Sequence, residues 1–124
     1  MITIDEMGIL LDEITEALPE DLFKNLNGGV LLLPERKLHK KSIGNSLYVM
    51  GEYHLDGALG RFIEIYYGSF MRVFGSLPKE QLKEELRKTL KHEFRHHLES
   101  MAGDTSLEVK DAQDIAHYLK NEHG

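Results

Sequence analysis

From Leu82 to Leu98 an apolar residue recurs at every fourth position: Leu82, Leu86, Leu90, Phe94 and Leu98. Residues four apart lie one turn above each other on the same side of an α-helix. The pattern calls for one long helix with an apolar stripe, and for a core built along that stripe. Ser76-Leu77-Pro78 opens the helix, with Pro78 near the first turn, where its missing N–H costs little. The helix should run to about Met101, and Ala102-Gly103 offers a C-terminal stop. Lys83, Arg87, Lys91 and Arg95 fall on the expected solvent side.

The remaining chain reads as partners for this helix. Over residues 3–18, Ile4, Met7, Leu10, Leu11, Ile14 and Leu18 share one helical side; Asp12, Glu13 and Glu16 form the wet side, and Pro19 ends the element. Gly28-Gly29 precedes a run at 30–33 that reads as a buried strand ended by Pro34. Residues 34–46 are polar and read as a surface loop, with Lys37, Lys40 and Lys41 as solvated charge. The runs 47–53 and 61–67 are aromatic and β-branched, and residues 54–60 between them carry turn chemistry at Asp56-Gly57, so they form a hairpin with a longer loop. In the second run Phe62, Glu64 and Tyr66 point one way, and Ile63, Ile65 and Tyr67 the other. A last helix is expected over 109–121. The 124 residues fit one domain without repeats, linkers or low-complexity tracts.

The long helix also carries His92-Glu93-Phe94-Arg95-His96, an HExxH sequence. Two imidazoles four residues apart can converge on one tetrahedral ion. Glu93, about 100° from His92 around the helix, can reach a water on that ion rather than the ion itself. Zinc lowers the pKa of such a water to about 7, and a carboxylate beside it can take the proton and pass it to a leaving amine. His92, Glu93 and His96 border the apolar stripe, where a cleft can form. The bland reading is a pair of surface histidines near a helix end.

Composition narrows the alternatives. There is no cysteine, so disulfides are excluded and any metal must be held by His, Asp or Glu. The formal net charge of −6 speaks against a nucleic-acid backbone or an anionic membrane as partner. No apolar run approaches the roughly 20 residues needed to span a bilayer, and the N-terminal stretch has neither the basic nor the apolar region of a secretory signal. The expected location is therefore cytoplasmic, and the expected partner a peptide or protein substrate.

Taken with the surrounding residues, the chain resembles the small bacterial zincin-like metallopeptidases, the minimal zincins. The resemblance covers most of the chain and rests on Leu47-Tyr48-Val49-Met50-Gly51-Glu52-Tyr53, on Phe62-Ile63-Glu64-Ile65-Tyr66, and above all on the segment 89–98. Members typically place a threonine three residues before the first metal histidine and double the last histidine of the motif; Thr89 and His96-His97 match both. The resemblance implies an α+β zincin core, a small β-sheet packed against the HExxH helix with N- and C-terminal helices, and one sheet edge beside a Zn2+ cleft. It implies His92 and His96 as metal ligands and Glu93 as the catalytic base. Many relatives carry Gly three residues after the second metal histidine and an acid three beyond that. Here Glu99 stands at the Gly position, and Gly103-Asp104 comes later. The resemblance favours Asp104 as third ligand, with Glu108 as the alternative; coordination by Glu99 would stretch the set over about 10 Å of one helix.

Other residues have plainer readings. His97 is expected to pack or hydrogen-bond, with a role in orienting a metal histidine as the sharper alternative. Glu64 reads as a solvated strand residue. Tyr66 reads as a sheet-face aromatic whose hydroxyl could help bind an oxyanion. His39, His54, His117 and His123 show no ligand spacing among themselves. Two further functions compete with peptide hydrolysis: a non-catalytic metal-binding or protein-interaction module on the same core, and a metal-dependent ribonuclease, which the acidic charge disfavours.

Overall fold

The computed structural model describes residues 1–40 and 47–104, with Asp104 described in its backbone alone. The expected helix at 109–121, with His117 and His123, lies outside the described residues. So do Glu108 and Lys41.

The chain opens with α1 (Ile4–Ala17). Thr3 caps it: its hydroxyl accepts from the Glu6 N–H while the Glu6 carboxylate accepts from the Thr3 N–H, closing a capping box. Met7, Leu10, Leu11, Ile14 and Leu18 are buried, as the helical spacing requires. A short 3-10 turn (Glu20–Phe23) then leads into the sheet.

Three strands form the main sheet: β1 (Gly29–Leu33), β4 (Gly51–Asp56) and β5 (Gly60–Tyr66), in the order β1-β5-β4. β1 runs parallel to β5, and β4 antiparallel to it. The central strand β5 carries the apolar load, with Ile63 and Ile65 fully buried. β1 is an edge strand and not the buried strand expected; Leu31 remains 38% exposed. The hairpin loop is also shorter than expected. His54, Leu55 and Asp56 belong to β4, and the turn is Gly57-Ala58-Leu59. The Asp56 carboxylate accepts from the N–H groups of Ala58 and Leu59 at 2.6 and 3.0 Å, and Gly60 takes φ +77°, a region that favours glycine.

Residues 34–46 are not simply a loop. β2 (Lys37–Leu38) pairs antiparallel with β3 (Tyr48–Val49) as a second small sheet. It is fastened to α2 (Tyr67–Phe74), a helix that the sequence pattern does not announce. The strand 61–67 therefore stops at Tyr66, and Tyr67 begins a helix. Ser69, fully buried, accepts from the Lys37 N–H at 2.9 Å, and the Gly68 N–H donates to the Glu35 carbonyl.

The long helix α3 spans Lys79–Asp104. All five stripe residues are at most 2% exposed and join α1, Ile63, Ile65 and Phe70 in one core. Gly103 does not stop the helix; a helical glycine costs about 1 kcal/mol, which continuing hydrogen bonds can bear. Lys91 is only 4% exposed, against the expected solvent side. α3 packs against both α1 and β4, so its covered face is wider than the stripe and takes in the aliphatic stem of Lys91. Burial and nearby Arg87 hold its ammonium below the ordinary lysine range.

Candidate functional site

The site grows from the way β4 crosses α3. β4 is the outer strand of the sheet and packs on α3. At the crossing stands Gly51, where a Cβ would come within 3.0 Å of Ile65 Cδ1 and 3.3 Å of Thr89 Cγ2. A side chain here would force its neighbours to give by a few tenths of an ångström, so glycine favours this close approach of strand and helix. The Met50 carbonyl accepts from the Tyr66 N–H at 2.9 Å. Backbone groups alternate along an antiparallel strand, so residues 52, 54 and 56 turn toward β5 and residues 51, 53 and 55 toward the open edge. The Tyr53 N–H, one of these outward groups, donates to the Glu93 carboxylate.

Between this edge and α3 lies an open cleft lined by His39, Val49, Gly51, Glu52, Tyr53, His92, Glu93, His96, Glu99 and Ser100. The HExxH residues meet in it. His92 Nε2 and His96 Nε2 are 3.2 Å apart, with their rings nearly perpendicular at 87°. His96 Nδ1 sits 3.1 Å from Glu99 Oε1. Its Nδ1–H donates to that carboxylate, which leaves the Nε2 lone pair facing His92. Two nitrogens bound tetrahedrally at roughly 2.0–2.1 Å from one ion would be about 3.3–3.4 Å apart. The observed pair fits a single metal within a few tenths of an ångström.

The two histidines are exposed over much of their surface, whereas Glu93 is only 6% exposed. Desolvation pushes the Glu93 carboxyl above its ordinary pKa, and the neighbouring Glu52 adds to this; His96, His54 and the Tyr53 N–H act in the opposite sense. His92 is shifted downward by loss of solvent in the cleft, reinforced by His96. Its neutral form is the one that carries a lone pair for a metal.

His97 faces away from the cleft and is fully buried. Its Nε2–H donates to the Lys24 carbonyl at 2.8 Å, so its Nδ1 accepts the Tyr53 hydroxyl at 2.9 Å. It is a packing and hydrogen-bonding histidine, as the plainer reading held. It also ties β4 to α3 at the residue whose N–H holds Glu93.

Among the described residues, no third His, Asp or Glu completes a ligand trio with His92 and His96. Glu99 is spent behind His96. The side chain of Asp104 and all of Glu108 lie outside the description, so neither is placed against the pair.

The sheet face turned away from α3 carries a cluster that sequence spacing missed. Glu52, His54 and Glu64 offer ligand atoms that all lie within 4.8 Å of one another. Glu64 is therefore not a plain solvated residue. Tyr66 is buried, and its hydroxyl contacts Glu52 at 2.6 Å and Glu64 at 3.1 Å. Burial and the two carboxylates raise its pKa far above the ordinary tyrosine value, so it serves as a proton donor within this cluster. Lys37, read as solvated charge, pairs with Glu52 instead. The available sequence signal was strand alternation: 52 and 54 on one strand and 64 and 66 on the next share a face once the register is known.

No protein-family model matches the sequence, and no curated protein matches it. Among solved structures, a conserved hypothetical protein from T. thermophilus is 35% identical, with a TM-score of 0.71 over 83% of this chain and 100% of that one. With this identity across the whole of the other protein's length, the chain belongs to the same family as that conserved hypothetical protein.

Proposed function

We propose that this protein is a zinc-dependent peptidase of the minimal zincin type. The observation that carries the reading is the convergence of His92 Nε2 and His96 Nε2 at 3.2 Å beside a buried Glu93, under an open strand edge. His92 and His96 would hold the ion, and the third ligand would come from Asp104 or Glu108. A bound zinc would supply Lewis-acid polarisation of a carbonyl and acidification of water.

The chain's own residues account for the rest. Glu93 takes the proton from the attacking water and returns it to the leaving amine. A carboxyl raised by desolvation suits both halves of that task, since its pKa lies nearer the working pH. Glu99 holds the His96 ring so that Nε2 faces inward. The outward backbone groups of Gly51 and Leu55, together with the Tyr53 carbonyl, can pair with an extended peptide, as a strand added to the sheet. A substrate so aligned would run past Glu93, because the Tyr53 N–H is already on that carboxylate.

The test is elemental analysis of the wild-type protein beside His92→Ala, Asp104→Ala and Glu108→Ala, followed by peptide-library cleavage with Glu93→Ala. The expected result is one zinc fewer per chain in His92→Ala and in one acid variant than in the wild type, with Glu93→Ala keeping the wild-type zinc content but not cleaving. Undiminished cleavage by Glu93→Ala would refute the mechanism. A second reading keeps the metal without catalysis, and the missing third donor among the described residues favours it; stoichiometric zinc with no cut peptide in any library would establish it.

A further inference from the structure

On the far face of β4 and β5, Glu52, His54 and Glu64 make a compact donor set. Glu52 and Glu64 are directly opposed in the antiparallel ladder, and His54 opposes Phe62. The His54 ring stacks on Phe62, with centroids 5.0 Å apart and planes at 27°. That stacking aims Nε2 at the carboxylates, 2.8 Å from Glu64 Oε1 and 3.7 Å from Glu52 Oε1. Nε2 is shielded from solvent, yet it makes a hydrogen bond of acceptable geometry to neither oxygen. The close contact and the poor angle agree if nitrogen and oxygen point toward a common centre rather than toward each other.

Charge leads the same way. Glu52 and Glu64 bring two negative charges, and the nearby Lys37 ammonium offsets one of them. Tyr66 contacts both carboxylates but has a single proton to give. The two carboxylates outnumber the Lys37 ammonium by one charge, which a cation bound beside the His54 nitrogen would balance. Two carboxylate oxygens and one imidazole nitrogen within 4.8 Å are an O,O,N donor set of the kind that first-row divalent ions accept.

We propose that Glu52, His54 and Glu64 form a second divalent transition-metal site, separate from the His92–His96 pair, with the Lys37 ammonium as an internal competitor for Glu52. The site sits on the paired strands β4 and β5, at the edge that borders the cleft. Glu52 also lines that cleft, so a bound ion would fix the edge strand on which a substrate would lie. The inference is independent of the peptidase reading, since none of the three residues belongs to the HExxH motif.

The experiment is zinc titration calorimetry on chelator-stripped protein carrying His92→Ala and His96→Ala, both exposed positions. In that background one zinc should bind per chain and raise the melting temperature. Adding His54→Gln or Glu64→Gln should weaken binding about tenfold or more. Adding Lys37→Met, which removes no ligand, should tighten it about fivefold or more. No zinc in the background protein would overturn the site, as would binding that ignores all three added substitutions. Zinc that survives His92→Ala but falls with His54→Gln would uphold this site even if the peptidase reading failed.

Discussion

Glu93→Gln should make the metal-free protein more stable at neutral pH. Glu93 is 6% exposed, and desolvation is the largest cause of its raised pKa. Glutamine keeps the shape, and its amide oxygen can still accept the Tyr53 N–H, so the substitution removes the buried charge and little else. Single stabilising substitutions commonly return about 0.5–2 kcal/mol. At roughly 2.1 cal/mol/K per residue, this chain has an unfolding entropy of about 0.26 kcal/mol/K, so 1 kcal/mol corresponds to about 4 °C. The sign with pH follows from linkage. Below the ordinary value of 4.5 Glu93 is protonated whether the chain is folded or not, and the variant gains nothing. As pH rises from there to the raised folded value, the unfolded chain ionises first and the wild-type protein loses stability. The advantage of Glu93→Gln should therefore be absent at acid pH, grow above 4.5, and level off once the folded carboxyl ionises. Calorimetric melting of both proteins with a chelator, across that range, measures it. A variant no more stable at neutral pH, or an advantage that does not change with pH, would refute the claim that desolvation dominates at Glu93.

Three further perturbations probe the frame around the site. Phe94→Ala, which removes a fully buried ring packed edge-on to Phe23 with centroids 5.0 Å apart, should cost about 3–5 kcal/mol in urea unfolding with an unchanged slope. Tyr53→Phe should cost about 1–3 kcal/mol, because the buried His97 Nδ1 loses its donor; a double-mutant cycle with His97→Leu should show the two effects to be coupled, and additive losses would argue that the bond contributes nothing. Gly68→Ala should destabilise by about 1–3 kcal/mol in the same assay, since its Cβ would stand 2.8 Å from the Glu35 and Arg36 backbone.

The sequence by itself determined whatever depends on local periodicity. The stripe Leu82 to Leu98 fixed α3 and its buried side, and the spacing of Met7, Leu10, Leu11 and Ile14 did the same for α1. HExxH on a helix already required His92 and His96 to share a face, because four residues make about one turn. Helices and an aromatic, β-branched hairpin were legible in the local pattern, and the family resemblance implied the α+β class. Only tertiary structure decided matters that depend on long-range register. α2 has a glycine and several aromatic or β-branched residues that weaken helix formation; packing of Phe70 and the bonds of Ser69 and Gly68 to β2 and the residues before it hold it. The Val30 run met the expectation of a strand but became an edge, since strand order is invisible to local pattern. Glu52, His54 and Glu64 looked unrelated because their meeting depends on the Glu52–Glu64 pairing of β4 with β5. Lys37, 15 residues from Glu52 in the chain, joins them only because β2 folds back beside the sheet. The burial of Glu93 likewise needed an edge strand laid across α3 at Gly51, and no helical wheel contains that strand.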